Sequence, residues 1–502
     1  MPRFSCLLSA SSTIAILATG AVADLSAEDV WEDWKTYTTG FGYDVTGTEA
    51  RSGDTLTVTG VTMRASAEAE EAFEVEIGQI VLQEQSDGSV TIDLPSVIPM
   101  QMSAGDESFG TTKISMDYRQ EGGDIVASGT SDAINYTYAF DTISVETTGM
   151  EINGEAVPPE SNSVNVSVNA LQGTSQTTLD SLRRYVQALE AESVSYTFVA
   201  SDEETSSTSR VSGQLQDVGF NGTGSMPLRD IDSSDMDAML AAGFAADGTF
   251  TFGANALTLS VESPEGPVEG SVVSGDSTIS VGMSQDGLKY DILQNAVQVD
   301  MTSAQFPAPV NFNIARSTFN FLLPVSPSDT MSDYAFGFAM EGFEASEAIW
   351  SMFDPQAQLP RDPATIALDL TGRASLLLDV FDPAAMAGMT PTDSPAKIES
   401  LNINSLKVSA LGADLSGTGN FTFNNDTGLF PQPVGAVDLS LTGGNALIDK
   451  LIGAGLLPED QAMGMRMMMG LLAVPGSAPD TLTSKIEINA QGHVMANGQR
   501  IQ

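Results

Sequence analysis

Cysteine and histidine are almost missing: 502 residues contain Cys6 and His493 and no others of either kind. Zinc hydrolases draw their ligands from His, Cys and carboxylates, so a zinc centre is close to excluded. A Ser–His–Asp apparatus would have to use His493. That residue follows Gly492 in a terminal strand-and-turn segment, no G-x-S-x-G elbow occurs, and His493 reads as a surface or strand-edge side chain. Basic residues are also few: 20 Lys and Arg against 66 Asp and Glu leave a net charge of −46. Such a chain repels nucleic-acid phosphates and anionic lipid headgroups. Acidity of this kind is read first as a solubility or salt adaptation. No phosphate-binding glycine loop or P-loop lysine is present, so no cofactor is expected. No segment approaches the 18 apolar residues of a membrane-spanning helix.

What is present begins with a targeting signal. Arg3, the short apolar run "LLSASSTIAILATG" and the small residues "AVA" at 21 to 23 form a secretory signal peptide, residues 1–23, cut before Asp24. The mature chain, 24–502, then has 1 − 1 = 0 cysteines and a charge of 19 − 66 = −47. It is expected in the periplasm, with release outside the cell as the variant of that expectation. A disulfide-free secreted chain must be held by its core. At 42% hydrophobic residues it has the apolar mass to build one.

After the cut, "SAEDVWEDWKTYTTGFGYDV" opens with a capping box, Ser26 and Asp29. Val30, Trp34, Tyr37 and Phe41 share one helical face, and Trp31 and Trp34 make this helix unusually aromatic. From about residue 54 the apolar period becomes two: Leu56 and Val58; Phe73, Val75 and Ile77; Ile134, Tyr136 and Tyr138; Val164, Val166 and Val168. Asp87-Gly88, Gly122-Gly123, Asp286-Gly287 and Asn497-Gly498 read as turns between strands. Short helices are expected at "LDSLRRYVQALEAES", "SSDMDAMLAAG", "SEAIWSMFDP" (with Trp350), "GGNALIDKLIGAG" and "PEDQAMGMRMMMGLLAV". The expected fold is mainly β with minor α: an elongated, curved antiparallel meander with one apolar face and short capping helices. The proline-rich "SAQFPAPVNF" is a candidate boundary between sub-regions 24–302 and 311–502.

Three stretches, "DVWEDWKTYTTGFGYDVTG", "EAIWSMFDPQAQLPRDPATIALDLTGRASL" and "GGNALIDKLIGAGLLPEDQ…INAQGHVMANGQ", resemble the bacterial domain-of-unknown-function family 2125 (DUF2125). The resemblance covers most of the mature length. It implies a secreted, β-rich envelope protein and brings no catalytic residues with it. The paired strands also resemble, more distantly, large envelope proteins that build long curved sheets with an apolar groove.

Other motifs give way to plainer readings. Ser394 and Lys397 match S-x-x-K, but Pro395 and the absence of partner motifs make "TPTDSPAK" a loop. Asp230 with Asp232, and Asp235 with Asp237, could bind calcium or serve glycosidase chemistry; their place at a helix start accounts for them first. Gly222 and Gly224 are read as turn residues. Met463, Met465, Met467, Met468 and Met469 lie on a helix that is apolar nearly all round. A buried capping helix is the first reading of it, a plastic surface for acyl chains or a partner helix the second, and a thioether copper site the third. Together with Trp31, Trp34 and Trp350, these methionines are the candidate apolar contacts. The expected function is that of a non-enzymatic exported envelope protein binding a lipid or another envelope component through an apolar sheet face. A carboxylate-dependent glycan hydrolase is the alternative, and an outer-membrane barrel, poorly served by 7% aromatics, comes last.

Overall fold

The computed structural model of the protein describes residues 25–40, 42–65, 72–106, 110–202, 205–228, 231, 235–381, 394–425 and 431–502. Residues 1–23, where a signal peptide is expected, and Phe41, Asp230 and Asp232 lie outside them. Strands make up 66% of the chain and helices 12%, so the protein is mainly β, as the period-two alternation predicts. The described helices are α1 (Ala27–Gly40), α2 (Met236–Ala241), α3 (Glu347–Phe353), α4 (Gly444–Gly453) and α5 (Glu459–Leu472).

Among the described residues twenty-seven strands form one antiparallel sheet, ordered almost as in the sequence. The sheet forks twice. Ala72–Glu84 pairs with Val97–Asp106 at one end and Val90–Asp93 at the other, and the branches rejoin on Ala133–Ile152. Ser207–Pro227 forks onto Ala245–Phe252 and Asn255–Glu262, and these branches rejoin on Gly287–Ser303. Strands Gly287–Ser303 and Val310–Leu323, on either side of the proline-rich stretch, are direct neighbours. Among the described residues Tyr43–Ser52 pairs only with Thr55–Ala65, so the sheet is open and does not close into a barrel.

Register shows why alternation produces a two-faced sheet. Directly opposed residues point the same way, and one row crosses fourteen strands: Ile125, Tyr138, Gly173, Leu189, Phe220, Phe250, Ile279, Ile292, Phe319, Phe338, Leu368, Leu406, Gly417 and Leu439. The adjacent row faces the other way: Asn221, Thr249, Ser280, Asp291, Asn320, Gly337, Asp369 and Ser405. At roughly 4.8 Å between strands, the apolar row runs for about 60 Å.

Several strands carry a residue in the left-handed region part-way along. Ala170, Asp217 and Ala296 adopt φ of 51°, 49° and 51° near the middle of their strands, and Gly342 does so at 67°. Against Ala364–Leu376 the register shifts between Met340 and Phe343, so the strand carries one extra residue around Gly342, a bulge. The ladders run through Ala170, Asp217 and Ala296 without a shift. A bulge bends its strand and raises the local twist.

The tightly packed core sits at the N-terminal end. Leu25, Ala27, Val30 and Trp31 cover Leu56, Val58, Ile80, Leu82, Val90, Ala127 and Ile134. Burying each large apolar side chain there contributes about 1.5–3 kcal/mol.

One predicted helix is a strand. "LRRYVQALEAES" lies within Leu182–Asp202, laddered on both sides along most of its length. Two cross-strand ladders outweigh its helix propensity. Gly222 and Gly224 are mid-strand rather than turn residues. The other expected helices and the four dipeptide turns fall where predicted.

Candidate ligand-binding face

Helix α1 is set on the sheet by its own first turn. Ser26 and Asp29 form the capping box: the Asp29 N–H donates to Ser26 Oγ at 3.1 Å, and the Ser26 N–H donates to Asp29 Oδ2 at 3.0 Å. The Ala27 N–H donates to Glu84 Oε1 at 2.9 Å, and Arg51 binds both Glu28 and Glu84. The guanidinium of Arg51 holds the Glu84 carboxyl below its ordinary range. Trp31 is buried, and its Nε1–H donates to Glu49 Oε1 at 2.7 Å.

The helix therefore covers the apolar face at this end only. Leu56 and Leu82 under it are 2% and 0% exposed, whereas Phe338 and Phe250 on the same face are 37% and 43% exposed. At the boundary a cavity of about 250 Å³ opens between Trp34, Tyr37, Tyr138, Ser175, Thr177 and Arg183. Asp33 and Arg183 meet there in a 2.8 Å ion pair, and Tyr136 Oη–H donates to Asp33 Oδ2 at 2.8 Å. Burial pushes the Tyr136 phenol well up, reinforced by the Asp33 carboxylate. Burial likewise pushes Tyr138 up to about 12.

Beyond the cavity the floor is smooth. A Cβ on Gly224 would lie 2.3 Å from the Tyr185 ring, one on Gly213 2.3 Å from the Tyr196 hydroxyl, and one on Gly372 2.4 Å from the ring of Tyr334. The rings thus lie flat over neighbouring glycines rather than standing off the sheet. Further along, Phe319 packs edge-on to Phe336 with centroids 5.9 Å apart, and Tyr290 stacks on Phe321 at 5.7 Å.

The candidate contact residues do not form one site. Trp31 belongs to the core, and Trp34 lines the cavity. Trp350 lies half-buried in α3, against Phe353 and beneath Arg361, whose Cζ is 4.1 Å from its ring centroid. Met463, Met465, Met467 and Met468 are exposed on α5, where only Ala462 is buried and Met469 is half-buried. The buried-helix reading is therefore corrected. Helix α5 rests on α4 and carries an Arg466–Asp449 ion pair, with its sulfur-rich side outward.

Asp235 caps α2 by accepting the Ala238 N–H at 2.9 Å. Ser394 donates to the Ala396 carbonyl, and Lys397 is in a strand, so S-x-x-K spans a loop and a strand start. No group of three or more His, Cys, Asp or Glu able to hold a metal occurs among the described residues. No helix among them is long and apolar enough to cross a membrane. Arg183 and Asp33 gave no signal in the sequence: neither stands in a motif, and only the fold brings them together.

Residues 255–498 match a family described as uncharacterized proteins conserved in bacteria, DUF2125. Over that stretch the chain is similar to DUF2125. The matched region contains two of the three stretches that carry the resemblance, the Trp350 segment and the C-terminal one, whereas α1 and the strands it covers precede it. The matched region thus includes the later part of the aromatic floor, from Tyr290 to Phe338, and the methionine helix, but not the floor around Tyr185, Tyr196 and Phe250, the plug or the cavity. No curated protein matches the chain.

Proposed function

We propose that this is an exported, non-enzymatic envelope protein that holds the acyl chains of a lipid along the apolar face of its sheet. The observation that carries this is the apolar row of fourteen strands, covered by α1 at one end and a third to nearly half exposed at Phe250, Val281, Phe336 and Phe338. An exposed apolar surface of this extent marks an interaction site. Its relief favours a flexible chain over a folded partner. Rings laid flat on Gly213, Gly224 and Gly372 leave few knobs to interdigitate, whereas a protein core packs by interdigitation. The polar opposite face keeps the assembly soluble.

Native mass spectrometry and organic extraction of protein purified from its own envelope test this. Co-purifying lipid is the expected result; protein free of lipid, and unable to take up an apolar fluorophore, would remove the reading. Contact with another envelope protein is the second reading, and one feature favours it: Met463, Met467 and Leu471 point outward from a single helix.

A further inference from the structure

Arg183 is one of only 20 basic residues, yet it is 3% exposed at the head of an apolar trough. Its Nη2 meets Asp33 at 2.8 Å, but its Nε and Nη1 have no hydrogen-bond partner among the described residues. Buried donors left unpaired are costly and rare. These belong to a side chain lining the cavity of about 250 Å³ beside α1, where Tyr138, Ser175, Thr177 and Gln187 add further polar groups. Tyr138 is itself a member of the apolar row, followed across the sheet by Gly173, Leu189 and Phe220. A polar head seated in the cavity therefore has the uncovered floor running directly away from it.

We propose that this cavity binds the polar head of the amphiphile whose chain lies on the sheet, and that the head is uncharged and oxygen-rich, of the glycerol-ester class. The inference rests on the reading of the sheet as a chain-binding face. Charge selects the class. Asp33 already neutralises Arg183, so an anionic head would place a second negative charge beside the Asp33 carboxylate in a desolvated site, within a chain of net charge −46. A carbonyl or hydroxyl oxygen accepts from Nε–H and Nη1–H without adding charge. Ser175, Thr177 and the Tyr138 hydroxyl donate to or accept from the remaining head-group oxygens.

Displacement of diphenylhexatriene, an apolar fluorophore that reports the trough alone, separates the two readings. Competitors are 1-monooleoylglycerol and oleate, which share a chain and differ in head. The native protein is expected to release the fluorophore at about tenfold lower monooleoylglycerol than oleate, the worth of one or two hydrogen bonds. Arg183→Lys keeps the ion pair with Asp33 but places no donor at the positions of Nε and Nη1. It should erase that preference and leave fluorophore binding unchanged. Thr177→Val, nearly isosteric, should reduce the preference in the same direction. Equal displacement by both competitors, stronger displacement by oleate, or a preference surviving Arg183→Lys overturns the head-group site while leaving the trough standing. Failure of the fluorophore to bind at all removes the trough, and the head-group site with it.

Discussion

Asp33 of α1 and Arg183 of the strand Leu182–Asp202 form an ion pair in which each side chain is only 4% exposed. It ties the N-terminal plug to a strand far along the sheet. Removing one partner leaves the other charged and buried, so Asp33→Ala should cost about 3–5 kcal/mol. The double variant Asp33→Asn/Arg183→Met buries no lone charge and should lose less than Asp33→Ala alone. Urea unfolding of the two variants beside the native chain compares them; equal losses would show that the pair is not coupled.

The buried phenols predict alkaline sensitivity. Tyr138 is pushed up to about 12, mainly by burial, and Tyr136 is raised by burial and by Asp33. A phenol raised in the folded state holds its proton where the unfolded chain has released it. Its contribution is complete below about pH 10 and declines as pH climbs toward 12. Stability should be flat with respect to these two groups up to about pH 9 and then fall, by something of order 2 kcal/mol from Tyr138 alone. Urea midpoints across this range, with phenolate absorbance followed in parallel, give the answer. Tyr136 and Tyr138 should be among the phenols that ionise late, with Tyr37, Tyr118, Tyr185 and Tyr334 also raised by burial, and Tyr136→Phe should remove one late phenolate.

Trp31 and Met467 were equally prominent as candidate contacts, yet the fold treats them oppositely. Trp31 is 2% exposed in the core; Met467 is 71% exposed on α5. Trp31→Ala should therefore cost about 3–5 kcal/mol and also release the Glu49 carboxylate. Met467→Ala should change stability by less than about 0.5 kcal/mol. Thermal and urea unfolding of both variants would expose a misplaced helix at once, since a buried Met467 would cost several times more.

Much of this fold is written in local pattern. Alternation at Leu56 and Val58 or Ile134 and Tyr136, the turns at Asp87-Gly88 and Asp286-Gly287, and the Ser26–Asp29 box each act over a few residues, so each can be read from the chain. The segment "LRRYVQALEAES" misleads because Leu182, Tyr185, Val186 and Leu189 also satisfy a helical stripe, and only the strands on either side decide between the two. Methionine-rich α5 looks like core because composition records polarity and not position. The Asp33–Arg183 contact and its cavity depend on register accumulated over many strands, for which no short motif exists. Nor does anything announce a left-handed backbone at Ala170 or Ala296, where glycine would have been the readable residue.

Those alanines are testable. An L-residue in the left-handed region carries about 1–2 kcal/mol of strain, at φ of 51° for Ala296. A β-branched side chain tolerates that region worst, so Ala296→Val should destabilise by about 1–3 kcal/mol. Ala296→Gly should be neutral or gain up to about 1 kcal/mol, strain relief being offset by backbone entropy. A valine variant as stable as the native chain would mean that the backbone at Ala296 is not left-handed.

Phe338 and Ala339 are neighbours in sequence on opposite faces: Phe338 pairs across the sheet with Phe319 and Leu368, Ala339 with Thr318 and Ala367. If acyl chains run along the apolar row, a carboxylate at Phe338 must be desolvated each time a chain passes over it, and burying an unpaired charge is prohibitive. The same carboxylate at Ala339 stays in water on the far side. Phe338→Glu is therefore expected to weaken uptake of an apolar fluorophore at least tenfold, and Ala339→Glu to leave it within about twofold. Because Phe338 is already 37% exposed, its replacement should leave the protein folded, so loss of uptake cannot be ascribed to unfolding; circular dichroism of both variants checks this. Equal uptake by the two variants would place the fluorophore elsewhere, and the chain-binding face would have to be abandoned.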